Sequence, residues 1–209
     1  MNRGMAILHI TCSARGVLSF SGRLSALIVE RLAGNDPTAR VTLRALGSAP
    51  PPHADGAYAQ ALAGRPAEAT AGGSLALSDQ LIAEVEAADA IVIGTPMHNY
   101  TVPSCLKAWI DHVVRIGRSF SASAAGKQGL LPDRPVYIAV ASGGLYQGQD
   151  ASALQPDFLT PYLRAALGTI GLKSLHFLPL QGTVRSEEAV AGAWREAVAA
   201  LDLLMAHTA

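Results

Sequence analysis

Cysteine is almost missing from this chain: Cys12 and Cys105 are its only two. That is too few for a disulfide framework and lacks the paired spacing of a metal site, so no metal is expected and a reducing cytoplasm fits best. Charge is scarce too. Only 15% of residues are charged, and 16 basic side chains balance 16 acidic ones. No Lys/Arg stripe exists to neutralise a phosphate backbone, which sets nucleic acid aside as a partner. Long apolar runs are also missing. The run near the N-terminus is too short for a secretory leader, and no segment approaches the length of a membrane span.

Signatures of several chemistries are absent as well. There is no G-x-G-x-x-G and no G-x-x-x-x-G-K-[ST]. A low-molecular-weight tyrosine phosphatase needs arginine six positions after its cysteine, where this chain has Leu18. A response-regulator receiver needs clustered aspartates after its first strand, where this chain has Thr11-Cys12-Ser13. The histidines are scattered and share no ligand spacing.

What the chain does have is half its residues apolar, in short alternating patterns. Met5 to Cys12 reads as a strand, and Leu24, Leu27, Ile28 and Leu32 recur at helical spacing. Val41 to Leu46 reads as a second strand, followed by a Pro/Ala/Gly-rich excursion from Gly47 to Gly73. Leu77, Leu81, Ile82 and Val85 mark a helix with Ser74 or Ser78 as its cap, and Ala90 to Gly94 is a buried strand. A helix from Val102 to Gly117, a strand Val136 to Ala141, a helix Pro161 to Ile170, a strand Ser174 to Leu180 and a helix from Ser186 complete the order. Five strands alternating with helices, nearly continuous in apolar residues, predict one α/β domain over residues 1–209. Its core is a doubly wound parallel sheet of order 2-1-3-4-5. Ligands of such sheets sit beyond the carboxyl ends of the strands, near the point where strand order reverses.

Three loops reach that edge. After the first strand, Ser13, Ser19 and Ser21 crowd a loop that feeds a helix; such hydroxyls and free amides suit a monophosphate, and equally suit a simple helix cap. After the third strand, Pro96-Met97-His98-Asn99-Tyr100 leads to Pro103. A proline-pinned loop of this kind suits a flat heteroaromatic ring and is also compatible with an ordinary connection. After the fourth, Ala141-Ser142-Gly143-Gly144 lets backbone amides approach a ligand closely, or merely makes a tight turn. The residues alone leave each pair of alternatives open; together they gather at one edge.

At these positions the sequence resembles the FMN-dependent NADH-azoreductase and NAD(P)H quinone reductase family of flavodoxin-like homodimers. The matching motifs are S-x-R and S-x-S (Ser13, Arg15, Ser19, Ser21), P-M-x-N-[FY] (Pro96 to Tyr100), L-K-x-W-I-D (Leu106 to Asp111), Gly143-Gly144, and T-P-Y-L (Thr160 to Leu163). The resemblance implies FMN as cofactor, NADH or NADPH as donor, and a quinone or azo compound as acceptor. It implies that Ser13, Ser19, Phe20 and Ser21 hold the FMN phosphate, that Met97, His98, Asn99 and Tyr100 line the flavin ring, and that Ala141, Ser142, Gly143 and Gly144 contact its pyrimidine end. Phe120 and Tyr146 are expected at the substrate mouth. One departure stands out: His98 occupies a position where the family usually carries Tyr or Trp, exchanging a large flat contact for a titratable one. A flavin enzyme needs no acid–base pair of its own, which accords with the lack of one here. The nearest rival is an electron-carrying flavodoxin, disfavoured because such carriers are strongly acidic and this chain is neutral.

Overall fold

The computed structural model describes residues 4–34, 36–63, 73–148 and 154–208. Its centre is a five-stranded parallel sheet formed by β1 (Ala6–Thr11), β2 (Arg40–Ala45), β3 (Ala90–Pro96), β6 (Val136–Ala141) and β7 (Leu175–Leu180), in the order β2-β1-β3-β6-β7. With the hairpin β4 (Phe120–Ser123) and β5 (Gly126–Gly129) left aside, this is the expected doubly wound order.

Alternation along the strands sends side chains to two separate cores. Leu8, Ile10, Ile91, Ile93, Ile138 and Val140 face α3 (Ser74–Ala87), α4 (Ser104–Val113) and α5 (Leu159–Thr169), around the fully buried Trp109. Ile7, Val92, Tyr137, Ala139 and Leu178 face α1 (Phe20–Ala33) and α6 (Glu187–Thr208), meeting Leu24, Ile28, Ala197 and Leu201. Each fully buried Leu or Ile stabilises the fold by about 1.5–3 kcal/mol.

The structure departs from the sequence pattern in four further places. The excursion from Gly47 to Gly73 contains a short helix, α2 (Gly56–Leu62), held by Asp55: its carboxylate accepts the Tyr58 and Ser74 amides, and the Tyr58 hydroxyl donates to the Asp111 carbonyl at 2.8 Å. Residues 64–72 of that excursion lie outside the described residues. Neither Ser74 nor Ser78 caps α3: the Ser74 hydroxyl accepts from the Asp55 amide, and Ser78 donates to the His112 carbonyl on α4. Helix α4 stops at Val113 rather than Gly117, because the Ser119 hydroxyl donates to the Val113 carbonyl at 2.5 Å and accepts the Arg115 amide. Helix α5 begins at Leu159, two residues before Pro161, because the Asp157 carboxylate accepts the Leu159 and Thr160 amides. Among the described residues no helix is long and apolar enough to cross a membrane.

Candidate functional site

The carboxyl ends of four strands are tied to one another. The Cys12 amide donates to the Gly94 carbonyl at 2.9 Å, Met97 to Ala141 at 2.8 Å, and Ser142 to Leu180 at 2.9 Å. Immediately past these bonds a cleft of about 250 Å³ opens between the loops.

Its first wall is the loop from Ser13 to Ser21. A single 3-10 turn, Gly16–Leu18, brings Ser19 to the start of α1, where its Oγ accepts the Gly22 amide at 3.0 Å and lies 3.2 Å from Ser21 Oγ. Ser19 is therefore a helix cap, and it lines the cleft as well: the two readings of this loop are compatible. Ser13, Arg15 and Phe20 line the same wall. Amides of a first helical turn have no intrahelical partner, so hydroxyls, amides and dipole together favour an anion here.

This wall is built close to the sheet by one glycine. A Cβ on Gly94 of β3 would overlap Ser25 Oγ and lie 2.8 Å from the Ser21 carbonyl oxygen, so α1 reaches this depth only over a bare Cα. Beneath it, buried His9 on β1 sits with Nε2 2.8 Å from Ser25 Oγ, which itself donates to the Gly22 carbonyl at 3.0 Å. With the serine proton so committed, Nε2 carries a hydrogen and donates to Ser25 Oγ. Burial lowers the His9 pKa from 6.5. The unfolded chain therefore takes up the proton first as pH falls, and stability held above that value is lost below it. Chemical denaturation should show this loss: the stability advantage of the parent over His9→Gln is expected to shrink from pH 7 to pH 5, and a constant gap would contradict the assignment.

The second wall is the loop after β3. His98 and Thr101 exchange backbone bonds at 2.9 and 3.0 Å, closing a two-residue turn in which Asn99 and Tyr100 take φ of 48° and 70°. Two consecutive positive φ values are the geometry of a type I′ turn, which usually calls for glycine at the second place. A tyrosine there costs about 1–2 kcal/mol. The Phe158 amide, donating to the Tyr100 carbonyl at 2.9 Å, helps hold it.

The floor joins Met97 to the loop after β6. Gln155 Nε2 donates to Ser142 Oγ at 2.7 Å and lies 3.1 Å from Met97 Sδ, bridging the two loops from below. The last wall, Thr183 and Val184 after β7, is held by the Thr183 amide and hydroxyl donating to the Ser142 carbonyl.

Of the expected residues, the cleft brings together Ser13, Ser19, Phe20, Ser21, Met97, His98, Ala141 and Gly143. The others are placed elsewhere. Asn99 and Tyr100 form the exposed tip of the turn; Ser142 is buried beneath the floor; Gly144 lies against the Gln155 side chain. Phe120 is buried on the hairpin with the Lys127 ammonium 5.5 Å from its ring centroid, and does not line the cleft of its own chain. Tyr146 is turned into the core, its amide held by Gln181 Oε1 at 2.7 Å. The aromatic rings exposed beside the turn are Tyr100 and Phe158, 47% and 61% accessible. Phe158, Gln155, Thr183 and Val184 were not anticipated. Under the cleft, Cys105 near the start of α4 donates its thiol toward the Cys12 carbonyl at 3.3 Å. Hydrogen bonding from the Cys12 thiol and then from helix-start amides brings its pKa down to about 7, while burial pushes Cys12 up.

Comparison with known proteins identifies the family. The family model described as "Flavodoxin-like fold" matches residues 5–204. The chain is 46% identical over 198 residues to FMN-dependent NADH:quinone oxidoreductase 4 of Pseudomonas fluorescens, covering 94% of each chain. It is 45% identical over 184 residues to FMN-dependent NADH:quinone oxidoreductase 5 of Burkholderia lata, covering 88% of each. Among solved structures, an FMN-dependent NADH-azoreductase from Bacillus anthracis in complex with FMN superposes with a TM-score of 0.77, covering 96% of this chain and 99% of that one. At 22% identity that likeness speaks for the fold alone. From the family match and the two close relatives, the chain belongs to the flavodoxin-like family that includes the FMN-dependent NADH:quinone oxidoreductases.

Proposed function

We propose that the protein is an FMN-dependent oxidoreductase that takes electrons from NADH and delivers them to quinones or azo compounds. One observation carries this reading: the capped hydroxyl pair Ser19 and Ser21 faces Met97, His98, Ala141 and Gly143 across a single cleft at the carboxyl edge of the sheet. An anion site at one wall and a flat, sulfur-backed floor at the other suit the phosphate and the ring of one flavin mononucleotide.

FMN bound there would supply the hydride and electron chemistry. The chain's own part is to bind, orient and polarise. Ser13, Ser19 and Ser21, with the amides of α1, hold the phosphate; Met97, backed by Gln155, offers a polarizable surface to the ring. The Gly143 amide is suited to the polar edge of the ring, where negative charge develops on reduction, by the logic of an oxyanion hole. The His98–Thr101 turn is closed by its own backbone bonds and held by the Phe158 amide, which suits a loop that needs little ordering on binding.

The second copy expected of this family would cover Tyr100, Phe158 and a groove of about 630 Å³ lined by Tyr58, Ile110, Tyr162 and Ala166, between α2, α4 and α5. The two free thiols suit a cytoplasmic location. Purified protein should carry one FMN per chain, oxidise NADH with benzoquinone or a simple azo dye as acceptor, and sediment as a dimer. Tight FMN without turnover of either acceptor would favour a carrier, and no FMN at all would overturn the reading.

A further inference from the structure

A second cleft, of about 520 Å³, adjoins the first and shares Phe20 and Thr183 with it. It lies on the other side of the α1 start, between that helix, the loop after β7 and the first turns of α6. Half-buried Trp194 supplies a flat face, and the Arg23 guanidinium lies 4.9 Å from the centroid of its ring. Arg185 and Arg195 complete the lining, with Glu187 the one carboxylate among them. Among the described residues Arg23, Arg185 and Arg195 make no ion pair, as is true also of Arg15, Arg40, Arg134 and Arg164; what sets the three apart is that they gather in one cleft. In a neutral chain with few charges, three guanidinium groups without carboxylate partners, lining one cleft with a single glutamate, make a local excess that an anion would relieve.

We infer that this cleft binds an adenosine phosphate, the purine stacked on Trp194 or the Arg23 plane and the phosphates held by Arg185 and Arg23. Three features select that ligand class. A purine is flat and stacks on indole and guanidinium alike. Phosphate accepts paired bonds from arginine. The cleft is large enough for one nucleotide, and it continues from the place where the FMN phosphate is proposed to end. The adenosine phosphate could reach it as free nucleotide, as the second half of FAD, or as the adenosine half of the nicotinamide donor. The inference goes beyond the oxidoreductase reading and relies on it only for where the FMN phosphate lies.

The test uses protein loaded with FMN and titrated with ADP while tryptophan emission is followed. Trp109 is fully buried, so a ligand in this cleft should quench Trp194 alone. Saturable quenching is expected, with FMN absorbance unchanged. By calorimetry, Trp194→Leu and, independently, Arg23→Ala with Arg185→Ala should each weaken ADP at least about tenfold. Arg23 and Arg185 are exposed, so that second variant keeps the fold if Trp194→Leu does not. No saturable binding to about 10 mM, binding unchanged in both variants, or ADP that expels FMN would each overturn the proposal. The source separates in the same variants. Loss of FAD-for-FMN exchange identifies a flavin adenylate; a raised NADH KM at constant kcat identifies the donor; neither, with ADP binding still lost, identifies a free nucleotide. Failure to hold FMN would be seen before ADP is added, and counts against the oxidoreductase reading instead.

Discussion

Replacing Ser19 and Ser21 together by alanine is expected to weaken FMN by about 3 kcal/mol or more, roughly a hundredfold or greater, while leaving riboflavin affinity little changed. Each hydroxyl lines the cleft, and a hydrogen bond to a charged group contributes about 1.5–3 kcal/mol. Ser19 also caps α1, so the double variant should lose about 1 kcal/mol of stability for that separate reason. Riboflavin has the ring and lacks the phosphate, which is why the pair of ligands tells the two roles apart. Titration of protein fluorescence or flavin absorbance with each ligand is the measurement. Equal losses for FMN and riboflavin would mean that the serines shape the loop and do not meet a phosphate.

Gly94→Ala is expected to damage the same site from underneath. The added methyl meets Ser25 Oγ and the Ser21 backbone, so α1 must lift at the end that presents its hydroxyls. Overpacking of this kind costs about 1–3 kcal/mol, and contact with backbone places it at the upper end. For a chain of this size that is roughly 6–12 °C in Tm. FMN binding should fall more than stability does, because the displaced residues are those proposed to hold the phosphate. A thermal melt with and without added FMN reads both. A variant that melts lower yet retains parental FMN affinity would separate the glycine from the site.

The fold was legible because each buried strand is short, nearly all apolar and bounded by turn residues, as in Ala90-Ile-Val-Ile-Gly94. The hairpin was not, because Phe120-Ser-Ala-Ser and Gly126-Lys-Gln-Gly have little strand propensity of their own, and the pairing is supported by the packing of Gly129 against Gly171. Helix α2 depends in the same way on Asp55 and on the reach of Tyr58 to α4. At the site, Ser19, Ser21 and Met97 could be read from local chemistry. Gln155, Thr183 and Val184 could not: nothing in their own segments sets them apart, and their part comes from which loops the sheet order places side by side. Tyr146 misled because an aromatic ring after a glycine pair looks like a ligand contact until its burial is known.

The ties between strand ends have a consequence for how such a molecule can diversify. Cys12 to Gly94, Met97 to Ala141 and Ser142 to Leu180 form a hem along the sheet, made wholly of main-chain groups. Because no side chain takes part, the residues beyond it can be exchanged without disturbing where each loop departs. A histidine can therefore stand at position 98 and a valine at 184 on a foundation indifferent to both, leaving the rim free to drift toward new acceptors while the seat for the cofactor keeps its shape.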